Sequence, residues 1–231
     1  MELSPDFIVY SRHGPLTLNA TLVFTWLVML VLVSGSWLVT RRLKEPCASR
    51  WQGILEMLVV SIRDQIRDLS PHHPGAFVPF VGTLFLFISV SNLLTVIPGF
   101  HPPTGSLSTT AALALSVFFA VPLFGIAREG LSGYLRHYVD PNPIMLPFHL
   151  LGELTRTLAL AVRLFGNVMS GSFLVAVLLA VAPVFFPVVM RLLELVLGQV
   201  QAYIFAVLAM VYIASAARTQ AMTRKGGGSD G

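Results

Sequence analysis

Apolar residues occur along this chain in runs that are long enough to cross a lipid bilayer. A spanning helix needs about 20 apolar residues, and the first run, residues 21–40, has that length. Residues 77–127 contain two further runs, which we interpret as a helical hairpin. Residues 146–220 form two longer stretches, separated by Pro183 and Pro187. Because each stretch exceeds one crossing, we expect both helices to be strongly tilted or to run partly along the membrane.

Residues 49–69 follow a different pattern. Apolar residues recur there at helical spacing on one side, and charged residues fill the other side. This pattern predicts an amphipathic helix that lies in the cytoplasmic interface of the membrane. The alternative is a small soluble helix packed on a loop. The apolar positions are Leu55, Leu58, Val59, Ile62, Ile66 and Leu69.

The composition agrees with a membrane protein. Of the 231 residues, 55% are hydrophobic and only 11% are charged, whereas about a quarter of a soluble domain is charged. These charges are too few to cover a globular surface, which excludes a soluble fold and intrinsic disorder. We therefore predict an all-α polytopic membrane protein that forms a single membrane domain over residues 1–231. Five membrane-embedded helices and one amphipathic interfacial helix make up this domain, and the last two helices are long and strongly tilted.

The basic residues predict the orientation of the chain, because cytoplasmic segments collect Lys and Arg. Residues 1–20 would lie outside, together with the loop 98–106, which has no Lys or Arg. A second cytoplasmic loop would start at Arg128, and residues 221–231 would form a disordered cytoplasmic tail. The net charge of +4 then reflects topology and not nucleic-acid binding. Eleven of the fifteen basic residues fall in predicted cytoplasmic segments: Arg41, Arg42, Lys44, Arg50, Arg63, Arg67, Arg128, Arg136, Arg218, Arg224 and Lys225.

The sequence gives no support for metal or redox chemistry. Cys47 is the single cysteine, so it has no internal disulfide partner and no metal-ligand spacing. His72 and His73 are adjacent in a turn, so their side chains diverge, and no third ligand is near in sequence. We therefore expect no metal and no cofactor.

Arg163 is the charged residue that most needs an explanation. A charge at the centre of a bilayer costs from about 2.5 to more than about 10 kcal/mol, so its default interpretation is functional. No acidic residue lies within one turn of Arg163 on its own helix, so its partner must come from another helix or another chain. The alternative is a purely structural ion pair between helices. Since arginine does not release its proton, Arg163 is a fixed positive charge that attracts a carboxylate and repels a passing cation.

Other polar residues accompany Arg163 in the same apolar stretch. Glu153 and Arg156 are three residues apart near the cytoplasmic end; they can pair with each other or simply extend to the membrane surface. His149 is a further candidate for a path on the cytoplasmic side. At about 100° per residue, one stripe of this helix contains residues 153, 156, 160, 163 and 167.

The final apolar stretch contains a second polar face. Glu194, Gly198 and Gln201 share this face. Gly198 lets a neighbouring backbone come close, and a buried Gln201 requires a polar partner. For Glu194 the alternative is a local pair with Arg191 at the outer end of the helix.

Several of these segments resemble subunit a of F-type ATP synthases. The closest likeness is residues 163–167, RLFGN, which are followed by Met169, Ser170 and Gly171. Residues 201–205, QAYIF, and residues 92–94, NLL, also resemble that family. The likeness covers nearly the whole chain and includes the amphipathic segment.

The resemblance implies a stator that faces a ring of c subunits. Two offset half-channels pass H⁺ or Na⁺ to and from carboxylates of the ring, and Arg163 matches the arginine that lies between them. Asn167 and Gln201 match polar neighbours of that arginine. Glu194 and Asn92 match residues of the outer half-channel.

The chain departs from the family pattern at two positions of the outer half-channel. Ser172 stands where many members have Glu or His, and Thr95 stands where an acid often follows the Asn-Leu pair. The resemblance therefore implies an outer path in which Glu194 is nearly the only titratable group. A water-filled path and a variant that moves sodium both fit this composition.

The resemblance also implies partners and a location. The chain would not be catalytic alone, and it would work with the c-ring, b-type peripheral stalk subunits and the remaining ATP synthase subunits in the inner membrane of a bacterium. A small secondary transporter or permease is the main alternative, supported by broken helices and buried charges but opposed by the small size and the lack of an inverted repeat. A purely structural assembly subunit is a third interpretation, which leaves the cost of burying Arg163 unexplained.

Overall fold

Five long helices dominate the computed structural model of the chain. All five are long and apolar enough to cross a membrane, which confirms the prediction of an all-α polytopic membrane protein. The amphipathic helix predicted over residues 49–69 lies outside the described residues. The structure describes residues 9–13, 16–42, 78–97, 99–139, 145–181 and 186–226.

A short β-hairpin precedes the first helix, and the sequence analysis did not predict it. Strands β1 (Val9–His13) and β2 (Leu16–Asn19) pair antiparallel, with His13 opposite Leu16. The signal was present, because Gly-Pro separates two short segments that contain β-branched and aromatic residues. The two strands lie within residues 1–20, the segment that we predict to lie outside.

The first three helices cover the predicted first span and hairpin. Helix α1 is Ala20–Arg42, and α2 is Val78–Leu93, followed by a 3-10 turn at Leu94–Val96. Helix α3 is Leu107–Val139, so the loop predicted from Arg128 is wrong up to residue 139. The basic residues mark where the chain leaves the membrane, but the helix continues to the Asp-Pro pair at 140–141, where the residue before proline disfavours helix.

The last two helices are the longest. Helix α4 is Met145–Val181, with 37 residues, and α5 is Phe186–Gly226, with 41. At a rise of about 1.5 Å per residue these helices measure roughly 55 and 61 Å, against roughly 30 Å for the hydrocarbon core of a bilayer. The disordered tail predicted from residue 221 is wrong up to Gly226, because Ala, Met, Arg and Lys are good helix formers and the glycine run begins only at Gly226.

The core lies between α2, α3, α4 and α5. One fully buried side chain from each helix illustrates it: Ile88, Val117, Leu164 and Phe205. A second 3-10 turn, Pro103–Gly105, joins α2 to α3 and is itself buried. This turn packs against helices α1 to α4. The connection predicted to be an outside loop is therefore folded into the helical bundle.

Candidate functional site

Arg163 lies on the exposed side of α4. Leu160 and Leu164, on either side of it along the helix, are buried in the core, whereas Arg163 is exposed on the surface of the chain. Within the described part of the chain, no hydrogen bond or ion pair engages its guanidinium. The partner predicted for Arg163 is therefore absent from the described helices.

The residues of the predicted stripe on α4 differ in their exposure to solvent. Leu160 is buried, Arg163 is exposed and Asn167 is half-buried. Residues three apart differ by about 60° around a helix, which is enough to cross the edge of the buried face. Arg163 thus lies just outside the packed face and Asn167 lies at its edge. No hydrogen bond joins Arg163 to Asn167 or to Gln201 among the residues that the structure describes.

The surface next to Arg163 contains small residues. Gly166 and Ser170 are exposed one and two turns further along α4. A Cβ atom added at Gly166 would have nothing within 4 Å. We call the open strip of surface along Gly166 and Ser170, beside Arg163, the groove. Large apolar side chains such as Val162 and Phe173 surround it on the exposed face. The result is a single fixed charge with an open groove beside it on an apolar surface.

Glu194 on α5 has two partners inside the chain. Its Oε1 accepts a hydrogen bond from Ser172 Oγ at 3.3 Å, and its Oε2 forms an ion pair with Arg191 Nη1 at 3.2 Å. The side chain of Glu194 is 11% exposed and that of Arg191 is 47% exposed. The local pair with Arg191 is therefore formed, and Ser172 contacts the same carboxylate.

Gly171 explains how Glu194 comes so close to α4. A Cβ atom at Gly171 would lie 2.9 Å from Cγ of Glu194 and 3.0 Å from its Oε1. These distances are shorter than van der Waals contact, so a side chain at this position would push the carboxylate away from Ser172. The Ser172–Glu194 contact therefore requires the glycine at position 171.

Asn92 and Gly198 join α2 to α5. The buried Nδ2 of Asn92 donates a hydrogen bond to the carbonyl oxygen of Gly198 at 2.8 Å. A Cβ atom at Gly198 would lie 2.9 Å from Cγ of Asn92. The prediction that Gly198 admits a close neighbour is correct in kind, but the neighbour is a side chain and not a backbone.

Gln199 was missed by the sequence analysis. Its Oε1 accepts a hydrogen bond from Ser89 Oγ, and its Nε2 donates to the carbonyl oxygen of Ser89 at 3.0 Å. Together with the Asn92–Gly198 bond, this contact holds α2 against α5 at two successive positions. The available signal was an amide side chain directly after Gly198 in an apolar stretch.

Gln201 is buried but incompletely paired. The residue is 8% exposed. In the described residues its Nε2 has no hydrogen-bond partner. A buried amide donor of this kind normally binds a polar group or a water molecule. The polar partner predicted for Gln201 is therefore not one of these helices' side chains.

The cytoplasmic candidates are only partly described. The guanidinium carbon of Arg156 lies 5.5 Å from the centre of the Tyr212 ring, a cation–π contact between α4 and α5. The carbonyl oxygen of Glu153 accepts a hydrogen bond from Thr157 at 2.9 Å. The backbone of His149 is helical, and its side chain lies outside the described part. Pairing between Glu153 and Arg156 stays a prediction.

Comparisons with known proteins give one consistent family. A family described as ATP synthase A chain matches residues 22–214. A protein of Acaryochloris marina named ATP synthase subunit a 2 is 59% identical over 219 residues, which cover 94% of each chain. ATP synthase subunit a 1 of Chlorobaculum parvum is 60% identical over 221 residues, 95% of this chain and 98% of that one. ATP synthase subunit a of Albidiferax ferrireducens is 57% identical over 219 residues, 94% of this chain and 95% of that one.

Proposed function

The chain belongs to the ATP synthase subunit a family, and from this premise we propose that it is the stator through which H⁺ or Na⁺ reaches a ring of c subunits. As a member of the family it is an ion-translocating membrane subunit of an ATP synthase, works with other subunits of that complex and is not catalytic alone. The proposal adds two offset half-channels that are separated by Arg163. Family membership favours this function over the transporter alternative.

The observation that carries the proposal is the unsatisfied charge of Arg163. It lies on the exposed, largely apolar side of α4 without an ion pair inside the described chain. A charge in such a place costs at least about 2.5 kcal/mol. A carboxylate at about 4 Å would return about 4 kcal/mol at an effective dielectric constant of about 20. We therefore expect a carboxylate of a passing c subunit to pair with Arg163, which no described side chain of this chain does.

A fixed positive charge has two effects on ion transfer. It favours the ionised form of a carboxylate that comes next to it, so a bound cation leaves that carboxylate. It also repels a cation that would move directly from one half-channel to the other. Since arginine keeps its proton, Arg163 performs both tasks without taking part in proton transfer. The open groove at Gly166 allows a helix of the ring to approach it closely.

We assign the outer half-channel to Glu194, Ser172 and Asn92. Glu194 is the one carboxylate among them, so it can accept the incoming cation. Asn92 and Ser172 supply polar groups at the junctions of α5 with α2 and α4. The unpaired Nε2 of Gln201 and the amide of Asn167 supply polar groups between Glu194 and Arg163.

The cytoplasmic half-channel is assigned to Glu153, Arg156 and His149. They lie near the start of α4, two to four turns before Arg163. The cation–π contact of Arg156 with Tyr212 links α4 to α5 on this side of the chain. An ion released from the ring next to Arg163 would leave past these residues.

The proposed orientation places the N-terminus outside and the C-terminus in the cytoplasm of a bacterial cell. The loops richest in Lys and Arg are then cytoplasmic. Cys47 is the single cysteine and lies within the first basic cluster, which makes it a natural probe. A membrane-impermeant maleimide should label Cys47 in inverted vesicles and not in intact cells. Labelling in intact cells would reverse the orientation.

The test of the function is Arg163→Ala in the complete ATP synthase. Coupled ATP synthesis in proteoliposomes under an imposed ion gradient should be abolished, while ATP hydrolysis by the detached soluble head is retained. Leu123→Ala, at an exposed apolar position of α3, is the matched control and should support coupled synthesis. Near-normal synthesis by the Arg163 variant would refute the proposal.

Copurification tests the proposed partners. The chain purified in mild detergent should come with a c-ring, b-type stalk subunits and a soluble ATPase. A chain that is isolated alone and binds a small solute would support the transporter alternative instead.

A further inference from the structure

A cavity of about 230 Å³ lies beside Ser172 and Arg191, the two residues that bind Glu194. One wall is the segment 99–105 between α2 and α3, and the other wall is the outer half of α4 with Arg191 of α5. Val175 and Leu179 are among its apolar lining residues. The function proposed above assigns no role to this cavity.

Both side chains that bind Glu194 line this cavity. Ser172 donates to Oε1 and Arg191 to Oε2, and both residues belong to the cavity wall. Glu194 is not itself among the lining residues, so a cation from the cavity would reach its oxygens past Ser172 and Arg191. Arg191 is nearly half exposed and the carboxylate is almost buried, so the guanidinium is the member of the pair that is free to move toward the cavity.

We propose that Arg191 is a positioning residue that competes with the coupling cation for Glu194 and so controls ion uptake from the cavity. This inference rests on the proposed function, in which Glu194 accepts the incoming ion. When H⁺ or Na⁺ binds the carboxylate, the net charge of Glu194 becomes zero, the ion pair breaks and the guanidinium of Arg191 turns toward the cavity. When the cation moves on toward the ring, the carboxylate is ionised again and Arg191 returns.

Competition follows from the chemistry of the pair. A carboxylate oxygen that already binds a guanidinium offers less negative charge to a second cation. The Ser172 hydroxyl is neutral and can keep its hydrogen bond in either state, so it orients the carboxylate without competing. Among the described side chains that line the cavity, the charged or titratable groups are Arg191 and His101, whose Nδ1 lies 3.2 Å from the carbonyl oxygen of Gly99.

The experiment measures the dependence of ATP synthesis on the outer cation. Complete ATP synthase is reconstituted in proteoliposomes, the membrane potential is fixed, and the outer H⁺ and Na⁺ concentrations are varied separately. For Arg191→Gln the half-saturating concentration of the coupling cation should fall about two- to fivefold, the change expected for the loss of a partly exposed ion pair. Arg191→Lys keeps the charge and should restore the half-saturating concentration to within about twofold of the original.

Two further variants keep the test decisive. Arg191→Met is a second charge-free side chain of similar length, and it takes the place of the glutamine variant if that complex does not assemble. His101→Gln removes the other titratable group of the cavity, and the shift caused by Arg191→Gln should persist in that background. A shift that disappears there would assign the effect to His101.

The outcomes separate the two proposals. An unchanged or higher half-saturating concentration in the charge-free variants, or a lysine variant that behaves like glutamine, would overturn the role of Arg191. A lower maximal rate at an unchanged half-saturating concentration would also overturn it, because a merely structural residue gives that result. Coupled synthesis by Arg163→Ala in the same preparation would instead refute the proposed function.

Discussion

The last two helices contain two ionisable residues, Glu194 and Arg163, whose surroundings differ. Glu194 is almost buried, and both of its oxygens are bound by side chains of its own chain. Arg163 is exposed, and no described side chain binds it. A charge that is satisfied internally can fold with the subunit and stay in place. A charge that has no partner among the described helices, and that lies on an apolar surface, is open to a partner from outside them.

Gly198 and Gly166 show the same difference between a site that is filled by the subunit and a site that is left open. A side chain at Gly198 would collide with Asn92 of the same chain, whereas a side chain at Gly166 would meet nothing within 4 Å. The first glycine therefore serves packing within the subunit. The second, one turn from Arg163, leaves space that the subunit itself does not use.

The largest effect is expected for Gly166→Leu. The new side chain should fill the groove beside Arg163 and keep a ring helix at a distance, with a loss of roughly a hundredfold in coupled ATP synthesis. Thermal stability of the detergent-solubilised subunit should not fall, because leucine is a better helix former than glycine. Gly152→Leu, on the same helix with open space around it, is the control. Full coupling in the Gly166 variant would show that no partner approaches there.

Gly198→Ala should lower the thermal stability of the subunit, which Gly166→Leu should not do. The added Cβ would force Asn92 out of its hydrogen bond, at a cost of about 1–3 kcal/mol in the free energy of unfolding. Gly82→Ala on α2 has nothing within 4 Å and should be neutral or slightly stabilising. The midpoint of thermal unfolding of both variants checks this prediction. Equal midpoints would mean that α2 and α5 separate easily.

Glu194→Gln tests the carboxylate whose two oxygens are bound within the chain. The amide keeps the shape of the side chain but cannot carry the cation, so ion uptake from outside should slow by at least about tenfold. Rates of ATP synthesis under a fixed outer ion gradient measure the effect. An unchanged rate would leave Glu194 with a structural role only.

Ser172→Ala should have the smallest effect. Loss of one hydrogen bond to Glu194 costs about 0.5–1.5 kcal/mol. Ser116→Ala removes a hydroxyl that bonds only to the carbonyl oxygen of Leu113 in its own helix, and it should change stability less than Ser172→Ala does. The reverse order would argue against a tie between α4 and α5 at Ser172.

The helices could be predicted from the sequence because an apolar run that crosses a membrane must satisfy its backbone hydrogen bonds internally, which an α-helix does. It located their ends poorly, since charge marks where a chain leaves the bilayer while α3 and α5 continue as helices to Val139 and Gly226. Arg163 could be recognised from its apolar neighbours alone. The contacts Ser172–Glu194 and Ser89–Gln199 could not, because each joins residues that are distant in sequence and depends on how the helices pack.

The buried turn Pro103–Gly105 has a consequence for handling the protein. Thr104 has no solvent exposure and the turn packs against helices α1 to α4, although the segment connects two spans, where connections are usually accessible. Proteases and antibodies will find no accessible peptide at Thr104, and an epitope tag inserted there would disrupt the packing of the turn against these helices.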